Sequence, residues 1–484
     1  MKKAPSPIVS LIPIIVLVLL LFATIRTFGS DALSGGSQVS LLTTTAICIL
    51  IGMVFYKIPW KDYELAITNN IAGVATAIII LLIIGALSGI WMISGVVPTL
   101  IYYGMQIIHP SFFLASTCII CALISVMTGS SWTTIATIGI ALMGIGKAQG
   151  FEDGWIAGAI ISGAYFGDKI SPLSETTILA SSITDTPLFR HIRYMMITTV
   201  PSLVITLIIF TVAGFSHDAN NTQHIAEVAT ALNEKFHITP WLLIVPVATG
   251  ILIAKKVPSI VTLFLSTLLA AVFALIFQPD LLEEISGIAA SGFDSLFKGL
   301  MMTIYGETNL HTDNAVLTDL IATRGMSGMM NTIWLILCAM CFGGAMTASG
   351  MVGSITSIFV RFMKKTVSVV SATVCSGLFL NLTTADQYIS IILTGNMFRD
   401  IYAKKGYESC LLSRTTEDAV TVTSVLIPWN TCGMTQATIL GVATFTYLPY
   451  CFFNLISPLM SITIAAIGFK IKRKNEKTES VVTG

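Results

Sequence analysis

Three charged side chains lie inside an apolar stretch of this sequence. The stretch contains Gly163-Ala-Tyr-Phe-Gly-Asp-Lys-Ile-Ser-Pro-Leu-Ser-Glu-Thr-Thr177, and its charges are Asp168, Lys169 and Glu175. A charge at membrane depth costs roughly 2.5–3.5 kcal/mol on insertion scales, so such a residue usually serves an ion or a substrate. A carboxyl group that binds either H+ or another cation makes the two ions compete, which gives exchange. We therefore expect Asp168 to be the carboxylate of a cation site.

Further oxygen atoms lie near Asp168 and in a second polar region of the chain. Hard cations such as Na+ are bound by oxygen ligands, and Glu175 and Asp386 are the other candidate carboxylates. We expect a bound cation at Asp168, Ser174 and Asp386. A structural role for Asp168, through Lys169 or a helix end, stays open, and hydroxyls in membrane helices often bond their own backbone. The candidate neutral ligands are Ser130, Ser131, Ser171, Ser174, Thr176, Thr177, Thr383, Thr384, Asn430 and Thr431.

A second group of charges lies at positions 414–418. Arg414, Glu417 and Asp418 are spaced i, i+3 and i+4, which places them on one face of a helix. We expect a buried charge network there, which serves either transport or structure. An organic anion would need an unpaired cation, and Arg414 is the strongest candidate, although its acidic neighbours favour a neutralised arginine.

The composition indicates a protein with many membrane spans. Hydrophobic residues make up 54% of the 484 residues and charged residues only 11%, whereas soluble domains carry roughly 25% charged residues. The lipid bilayer is therefore the expected partner, and a net charge of +1 argues against nucleic-acid binding. The sequence shows no phosphate-binding glycine loop, zinc-protease motif or nucleophile elbow, so we expect neither an enzyme nor a cofactor.

Polar interruptions divide several apolar segments into pairs. Two pairs predict helical hairpins that enter the membrane and return, namely 111–127 with 132–146 around the tip 128–131, and 367–380 with 388–397 around the tip 381–387. Residues 154–182 and 410–439 contain Pro172 and Pro428, and proline breaks a helix because it lacks a donor and clashes with the preceding turn. The freed carbonyls and hydroxyls of such broken helices can face a cation.

The chain matches itself when it is shifted by 255–256 residues. The shift aligns Pro172 with Pro428, Ser130 with Asp386, and Ser174 with Asn430. These matches predict an all-α polytopic membrane protein with two inverted-topology repeats, whose re-entrant helical hairpins and broken helices meet near the membrane midplane. The predicted division is an N-terminal half at 1–215 with repeat 1 at about 64–182, a polar central loop at 216–239, connecting spans at 240–305, repeat 2 at 306–469 and a basic cytoplasmic tail at 470–484.

Basic residues indicate which ends of the spans are cytoplasmic, because positive charge selects that side of a membrane. Lysines and arginines follow the second span at Lys57 and Lys61, and others occur at 255–256, 361–365 and 404–405 and in the tail. Placing all of them inside predicts ten full crossings with both termini cytoplasmic.

Three motifs of the sequence are distinctive. They are residues 85–104, Thr128-Gly-Ser-Ser-Trp132 and Phe166-Gly-Asp-Lys-Ile-Ser-Pro-Leu-Ser-Glu-Thr-Thr177, with support from 383–387 and 414–418. Together they resemble the NhaC family of Na+/H+ antiporters, in the wider ion transporter superfamily, over nearly the whole chain. The resemblance implies exchange of Na+ for H+ across the bacterial plasma membrane, with Na+ as the transported ion at Asp168, Ser174 and Asp386. It also implies a homodimer as the expected assembly.

The third motif departs from the usual family form at its end. Ser174-Glu175-Thr176-Thr177-Ile178 stands where the family has Ser-Asp-Thr-Thr-Asn, so the carboxylate is one methylene longer and the amide is absent. The family also includes members proposed to exchange malate for lactate. The alternative function is therefore Na+- or H+-coupled exchange of small organic substrates such as malate/lactate or amino acids. A channel or scaffold without coupled transport is a third hypothesis, which the paired broken helices disfavour.

Overall fold

The chain folds into helices that follow its apolar segments. The computed structural model describes residues 5–28, 35–216, 222–308, 310, 312, 318, 321–361, 363 and 365–473, and that part of the chain contains no β-strand. Within these described residues, eight helices are long and apolar enough to cross a membrane: Pro7–Phe28, Gly36–Tyr56, Ala75–Ile93, Pro110–Thr128, Leu188–Ser216, Ser259–Phe277, Ser327–Ala348 and Thr366–Thr384. Two bent pairs, Glu227–Lys235 with Pro240–Ala254 and Thr444–Tyr450 with Phe452–Ile467, bring the number to ten. The all-α polytopic membrane fold is thus confirmed. The count of ten treats each bent pair as one span and includes Pro110–Thr128 and Thr366–Thr384, which belong to the predicted re-entrant hairpins, so the ten predicted crossings stay a prediction.

Shorter helices complete the described architecture. Those before the central segment are Trp60–Gly73, Val96–Ile107, Ser131–Thr134, Ile140–Ala148, Asp153–Ile170 and Glu175–Ile183. The helices from residue 222 to the second hairpin are Thr222–Lys235, Ile244–Ala254, Pro279–Ser286, Phe293–Tyr305 and Met351–Arg361. The last group is Gln387–Lys404, Ser409–Thr416, Thr431–Leu440, Thr444–Tyr447 and Phe452–Ile467, and π-helical turns occur at Ile135–Gly139 and Glu417–Thr421.

Proline sets both helix breaks by the same local mechanism. The residue before a proline avoids the α-helical region because its backbone clashes with the proline ring. Ser171, before Pro172, is accordingly extended with φ −74° and ψ 130°, and the helix Asp153–Ile170 ends there. Ile427, before Pro428, is likewise extended with φ −107° and ψ 117°. We call residues 171–174 the first break and residues 427–430 the second break.

The central segment differs from the expected polar loop at 216–239. Residues 222–235 form the helix Thr222–Lys235. Val228, Leu232 and Phe236 are spaced four residues apart and are all buried, so they form an apolar stripe that packs the helix against the protein. In the sequence, this stripe of three apolar residues is too short to distinguish the helix from a polar loop. Residues 217–221 of the expected loop lie outside the described residues.

The first residues of the predicted basic tail pack against the body of the protein. Arg473 forms an isolated antiparallel bridge with Tyr407, and the Glu408 backbone N–H donates to the Lys472 carbonyl at 3.2 Å. Residues 474–484 of the tail lie outside the described part of the chain.

Candidate cation site

The first hairpin turns at residues 128–131, which we call the first tip. Gly129 adopts a left-handed conformation with φ +67°, and Ser130 begins the next helix by accepting a hydrogen bond from the Thr133 N–H. The Thr128 hydroxyl lies 3.1 Å from the Ser130 carbonyl oxygen, and the Thr134 hydroxyl donates to the same oxygen at 2.9 Å. These bonds fix the Ser130 side chain at the start of a helix, where N–H groups lack partners and favour negative charge.

The second hairpin turns at residues 384–387, the second tip, and has the same local pattern. Ala385 is left-handed with φ +58°, and the Asp386 carboxylate begins the next helix by accepting from the Ile389 N–H at 2.9 Å. The Thr384 and Ser390 hydroxyls lie 3.1 and 2.7 Å from the Asp386 carbonyl oxygen. Each of these positions follows its counterpart in the first tip by 256 residues.

Each tip packs against the break in its own half of the chain. A Cβ added to Gly129 would lie 2.7 Å from the Leu173 carbonyl carbon, so the first tip touches the first break directly. In the second half, the Thr431 N–H donates to the Ala385 carbonyl at 2.9 Å, and the Asn430 side-chain amide donates to the Asn381 carbonyl at 3.2 Å. The first tip thus contacts its break sterically, and the second tip is joined by a backbone hydrogen bond to the residue that follows its break.

Asp168 lies between the first tip and the first break. Its Oδ2 atom accepts from the Ser131 hydroxyl at 2.7 Å and from the Ser131 N–H at 3.2 Å. Its Oδ1 atom accepts from the Ser174 hydroxyl at 2.6 Å, and the Ser174 and Thr176 hydroxyls lie 2.9 Å apart. The side chain is only 6% exposed. Carboxylate and hydroxyl oxygens are the ligand type that hard cations prefer.

A cavity of about 570 Å³ brings together predicted residues from both halves of the chain. Six of the predicted site residues line it: Ser130, Asp168, Glu175, Thr176, Asp386 and Thr431. Ser131 and Ser174 do not line the cavity but hold the Asp168 carboxylate. Two carboxylates that are 218 positions apart in the sequence, Asp168 and Asp386, therefore face the same space.

The remaining predicted ligands bond to backbone in the tips and breaks and do not line the cavity. Thr177 donates to the Lys169 carbonyl at 2.9 Å and Thr383 to the Phe379 carbonyl at 3.0 Å. The Ser171 hydroxyl donates to the Val126 carbonyl at 2.8 Å. Thr384 and Asn430 make the tip and break contacts described above. These five residues shape the site, and their hydroxyl or amide groups follow the alternative of bonding to backbone.

Several residues of the cavity were not predicted from the sequence. They include Thr128, Trp132, Thr133, Lys256, Gln387 and Tyr388. The Tyr388 hydroxyl donates to Glu175 Oε2 at 2.9 Å, which joins the second hairpin to the first broken helix. The internal repeat contains a signal for Tyr388, because it lies 256 positions after Trp132 and directly follows the second tip. Lys256 belongs to none of the sequence motifs described above, so no sequence signal pointed to it as a cavity residue.

The buried charges at 414–418 include a partner that lies far away in the sequence. Lys169 forms an ion pair with Asp418 Oδ1 and donates to the Ser457 hydroxyl at 3.0 Å. Arg414 Nε lies 3.8 Å from Asp418 Oδ2, and the Arg414 guanidinium stacks on Tyr194 with 4.8 Å to the ring centroid.

Glu417 differs from the expected network. It is buried but forms no ion pair with any residue in the described ranges. Asp168 also has no ion pair with Lys169, because Lys169 points to Asp418 instead. The Lys169–Asp418 pair joins the end of the first broken helix to the π-helical turn of the second.

Comparison with known proteins identifies the family. The model of the Na+/H+ antiporter family matches residues 163–469, a range that contains both breaks, the second tip and the buried charges. The chain belongs to the Na+/H+ antiporter family. It is 36% identical over 428 residues to the Na+/H+ antiporter NhaC of Bacillus subtilis, covering 88% of this chain and 91% of that relative. It is also 36% identical over 431 residues to the NhaC protein of Alkalihalophilus pseudofirmus, covering 88% and 90%.

A third relative is named for a different activity. The Malate-2H+/Na+-lactate antiporter of Bacillus subtilis is 36% identical over 433 residues, covering 89% of each chain. The family membership therefore supports a transporter in a membrane, as the sequence predicted.

Proposed function

We propose that this chain is a secondary active antiporter that exchanges Na+ for H+ across the bacterial plasma membrane by alternating access. The observation that carries the proposal is the shared cavity, which Asp168 lines from the first half of the chain and Asp386 from the second. Membership of the Na+/H+ antiporter family and the similarity to the NhaC relatives support the choice of ions.

The coupling residue of this proposal is Asp168. An ionised Asp168 binds Na+ together with the oxygen of Ser174, and Asp386 contributes negative charge from across the cavity. A protonated Asp168 has lost its charge and no longer holds Na+, so the site carries one ion or the other. The hydroxyl groups of Ser131 and Ser174 support this role, because they keep the carboxylate oriented with either ion bound.

Alternating access in this proposal depends on two inverted-topology repeats. Three pairs of cavity residues are 256 positions apart: Ser130 with Asp386, Trp132 with Tyr388, and Glu175 with Thr431. The common hydrogen-bond pattern of the two tips supports the repeat independently of sequence identity. We further propose re-entrant hairpins, ten crossings and cytoplasmic termini, which cysteine accessibility from each side of the membrane would test. A homodimer stays a prediction from the family resemblance, to be tested by cross-linking.

Ion-coupled exchange of small organic substrates is the second candidate function. The relative named as a malate/lactate antiporter favours it, as does the cavity volume of about 570 Å³, because small-molecule pockets span roughly 300–1,000 Å³. The charged residues that line the cavity are unfavourable for a dicarboxylate, because three carboxylates (Asp168, Glu175 and Asp386) face a single lysine, Lys256. Arg414, the cation expected to bind an organic anion, does not line this cavity.

Transport by the purified protein in proteoliposomes tests the proposal. A preset pH gradient should collapse when Na+ is added, and Asp168→Asn should prevent the collapse while the protein still inserts and folds. Malate, lactate and amino acids are then added in turn. Collapse that requires one of these substrates would favour the second candidate, and no Na+-dependent collapse under any condition would refute Na+/H+ exchange.

A further inference from the structure

One hydrogen bond joins the two halves of the chain at the cation cavity. The Tyr388 hydroxyl donates to Glu175 Oε2 at 2.9 Å, and both residues line the cavity. Glu175 directly follows the first break and Tyr388 directly follows the second tip. A hydroxyl bond to a carboxylate is stronger than a bond between two neutral groups. This contact can therefore fix the position of an acidic side chain that faces the cavity.

The backbone of Glu175 is held by a residue that also holds Asp168. Ser174 begins the helix Glu175–Ile183 by accepting a hydrogen bond from the Thr177 N–H, and its own hydroxyl donates to Asp168 Oδ1 at 2.6 Å. The Glu175 side chain is exposed, and a glutamate has several rotatable bonds, so ordering it is entropically costly. Without a partner, its carboxylate would move freely in the cavity.

The donor end of the bond is held in place by its neighbours. Asp386 begins the helix that contains Tyr388 by accepting from the Ile389 N–H at 2.9 Å. The Gln387 side-chain amide donates to the Thr421 carbonyl at 3.1 Å. Tyr388 lies between these anchored residues, and a tyrosine side chain has only two χ angles. Its hydroxyl is therefore a well-defined donor that selects one position of the carboxylate opposite.

The bond to Tyr388 leaves the second oxygen of Glu175 available to a ligand. It uses Oε2, whereas Oε1 accepts no hydrogen bond from a described residue. The Thr176 hydroxyl lines the same cavity and lies 2.9 Å from the Ser174 hydroxyl. Carboxylate and hydroxyl oxygens are the ligands that hard cations prefer. Glu175 Oε1 and Thr176 therefore offer a cation two further oxygens beside the Asp168 site.

The length of the glutamate side chain matters for this contact. An aspartate at position 175 would be one methylene shorter, so its carboxylate would not reach Tyr388 unless the backbone moved. The backbone is fixed by the bonds of Ser174 to Thr177 and Asp168. Glu175 and Tyr388 therefore act as a matched pair.

We propose that Tyr388 is a positioning residue for Glu175, and that Glu175 held in this way is a further carboxylate ligand for the cation in the cavity. Tyr388 contributes no charge. It lowers the entropic cost of ordering the carboxylate when a cation binds. The inference rests on the proposed exchange of Na+ for H+, and it assigns a role to a residue of the second hairpin that the exchange at Asp168 does not use.

A double-mutant cycle in proteoliposomes tests the positioning role. Tyr388→Phe keeps the ring and removes only the hydroxyl, so we expect the apparent KM for Na+ to rise about three- to tenfold, with the maximal flux nearly unchanged. Glu175→Asp keeps the charge but loses the contact, and should raise the KM at least as much. In the Glu175→Asp background, Tyr388→Phe should have almost no further effect, because the two residues act through one bond.

Two other variants separate the parts of the proposal. Glu175→Gln keeps an acceptor for Tyr388 but removes the charge, so the KM for Na+ should rise by about tenfold or more. Tyr407→Phe is the matched control, because it removes a hydroxyl that lies 2.8 Å from the Thr366 hydroxyl and does not line the cavity. Its KM for Na+ should equal that of wild type.

The possible contrary results are distinct. An unchanged KM in Tyr388→Phe, or an equal effect of this substitution in the wild-type and Glu175→Asp backgrounds, would overturn the positioning role. A wild-type KM in Glu175→Gln would overturn the role of Glu175 as a ligand. Absence of Na+-driven H+ flux in wild-type proteoliposomes would instead overturn the proposed function. Calorimetric titration of the detergent-purified protein with NaCl would then compare Na+ affinity among the same variants, so the two failures are distinguishable.

Discussion

Replacing Gly129 with alanine should disturb the contact between the first tip and the first break. The added Cβ would lie 2.7 Å from the Leu173 carbonyl carbon and 2.8 Å from its oxygen. Both distances are too short for unbonded atoms, so the tip must move away from the break. Ser131 belongs to the same tip and holds Asp168 at 2.7 Å. The variant should therefore bind Na+ more weakly as well as fold less stably.

The size of the effect can be separated into two parts. A left-handed conformation costs an L-residue roughly 1–2 kcal/mol, and overpacking costs roughly 1–3 kcal/mol more. Gly441 provides a matched control, because its φ of +67° equals that of Gly129 and a Cβ there would meet nothing within 4 Å. Gly441→Ala should therefore show only the conformational cost, and Gly129→Ala should lose roughly 2–5 kcal/mol in total.

The free energy of unfolding is measured by titration with SDS for both variants and wild type, and the apparent KM for Na+ is measured in proteoliposomes. We expect Gly129→Ala to be the less stable variant and to have the higher KM, with the KM of Gly441→Ala unchanged. Equal losses of stability in the two variants, with equal KM values, would refute the inferred contact between tip and break.

Three further variants test the site and its surroundings. Asp168→Glu should keep Na+-driven H+ flux with weaker Na+ affinity, whereas Asp168→Asn should abolish the flux. In wild type, the apparent Na+ affinity should rise with pH until the Asp168 carboxylate is fully ionised. A pH-independent affinity would contradict the role of Asp168. Lys169→Met should destabilise the protein by roughly 3–5 kcal/mol, because it breaks a buried ion pair with Asp418. The control Lys147→Met breaks a partly exposed pair with Asp153, so it should lower the free energy of unfolding by under about 1 kcal/mol in the same SDS titration. Lys256→Gln should lower the apparent KM for Na+ by roughly twofold at low ionic strength and leave it unchanged at high ionic strength, and an effect that persists at high salt would argue against an electrostatic role.

Local chemistry explains why the breaks could be predicted from the sequence. Pro172 and Pro428 act on the residues next to them, and Ser174 and Asn430 start the following helices through bonds to N–H groups two or three positions on. The same holds for Ser130 and Asp386 in the tips. These features depend on a few neighbouring residues, so a single sequence contains the necessary information.

Long-range contacts could not be predicted in the same way. Lys169 and Asp418 are 249 positions apart, and only the packing of the two broken helices brings them together. The predicted helix face of Arg414, Glu417 and Asp418 assumed regular α-helical spacing. Arg414 reaches Asp418 at the i, i+4 spacing that an α-helix provides, whereas Glu417, which opens the π-helical turn, has no ion pair with a described residue.

The two tips share a hydrogen-bond pattern but differ at their left-handed residue. Gly129 adopts φ +67° without a steric penalty, whereas Ala385 adopts φ +58° and stores about 1 kcal/mol of backbone strain. A conformer that releases the strain at Ala385 would gain a population advantage of about fivefold from this residue alone. In the proposed alternating-access cycle, this strain makes the two tips energetically unequal despite their common hydrogen-bond pattern, so a single methyl group in the second tip would bias the balance between inward- and outward-facing forms.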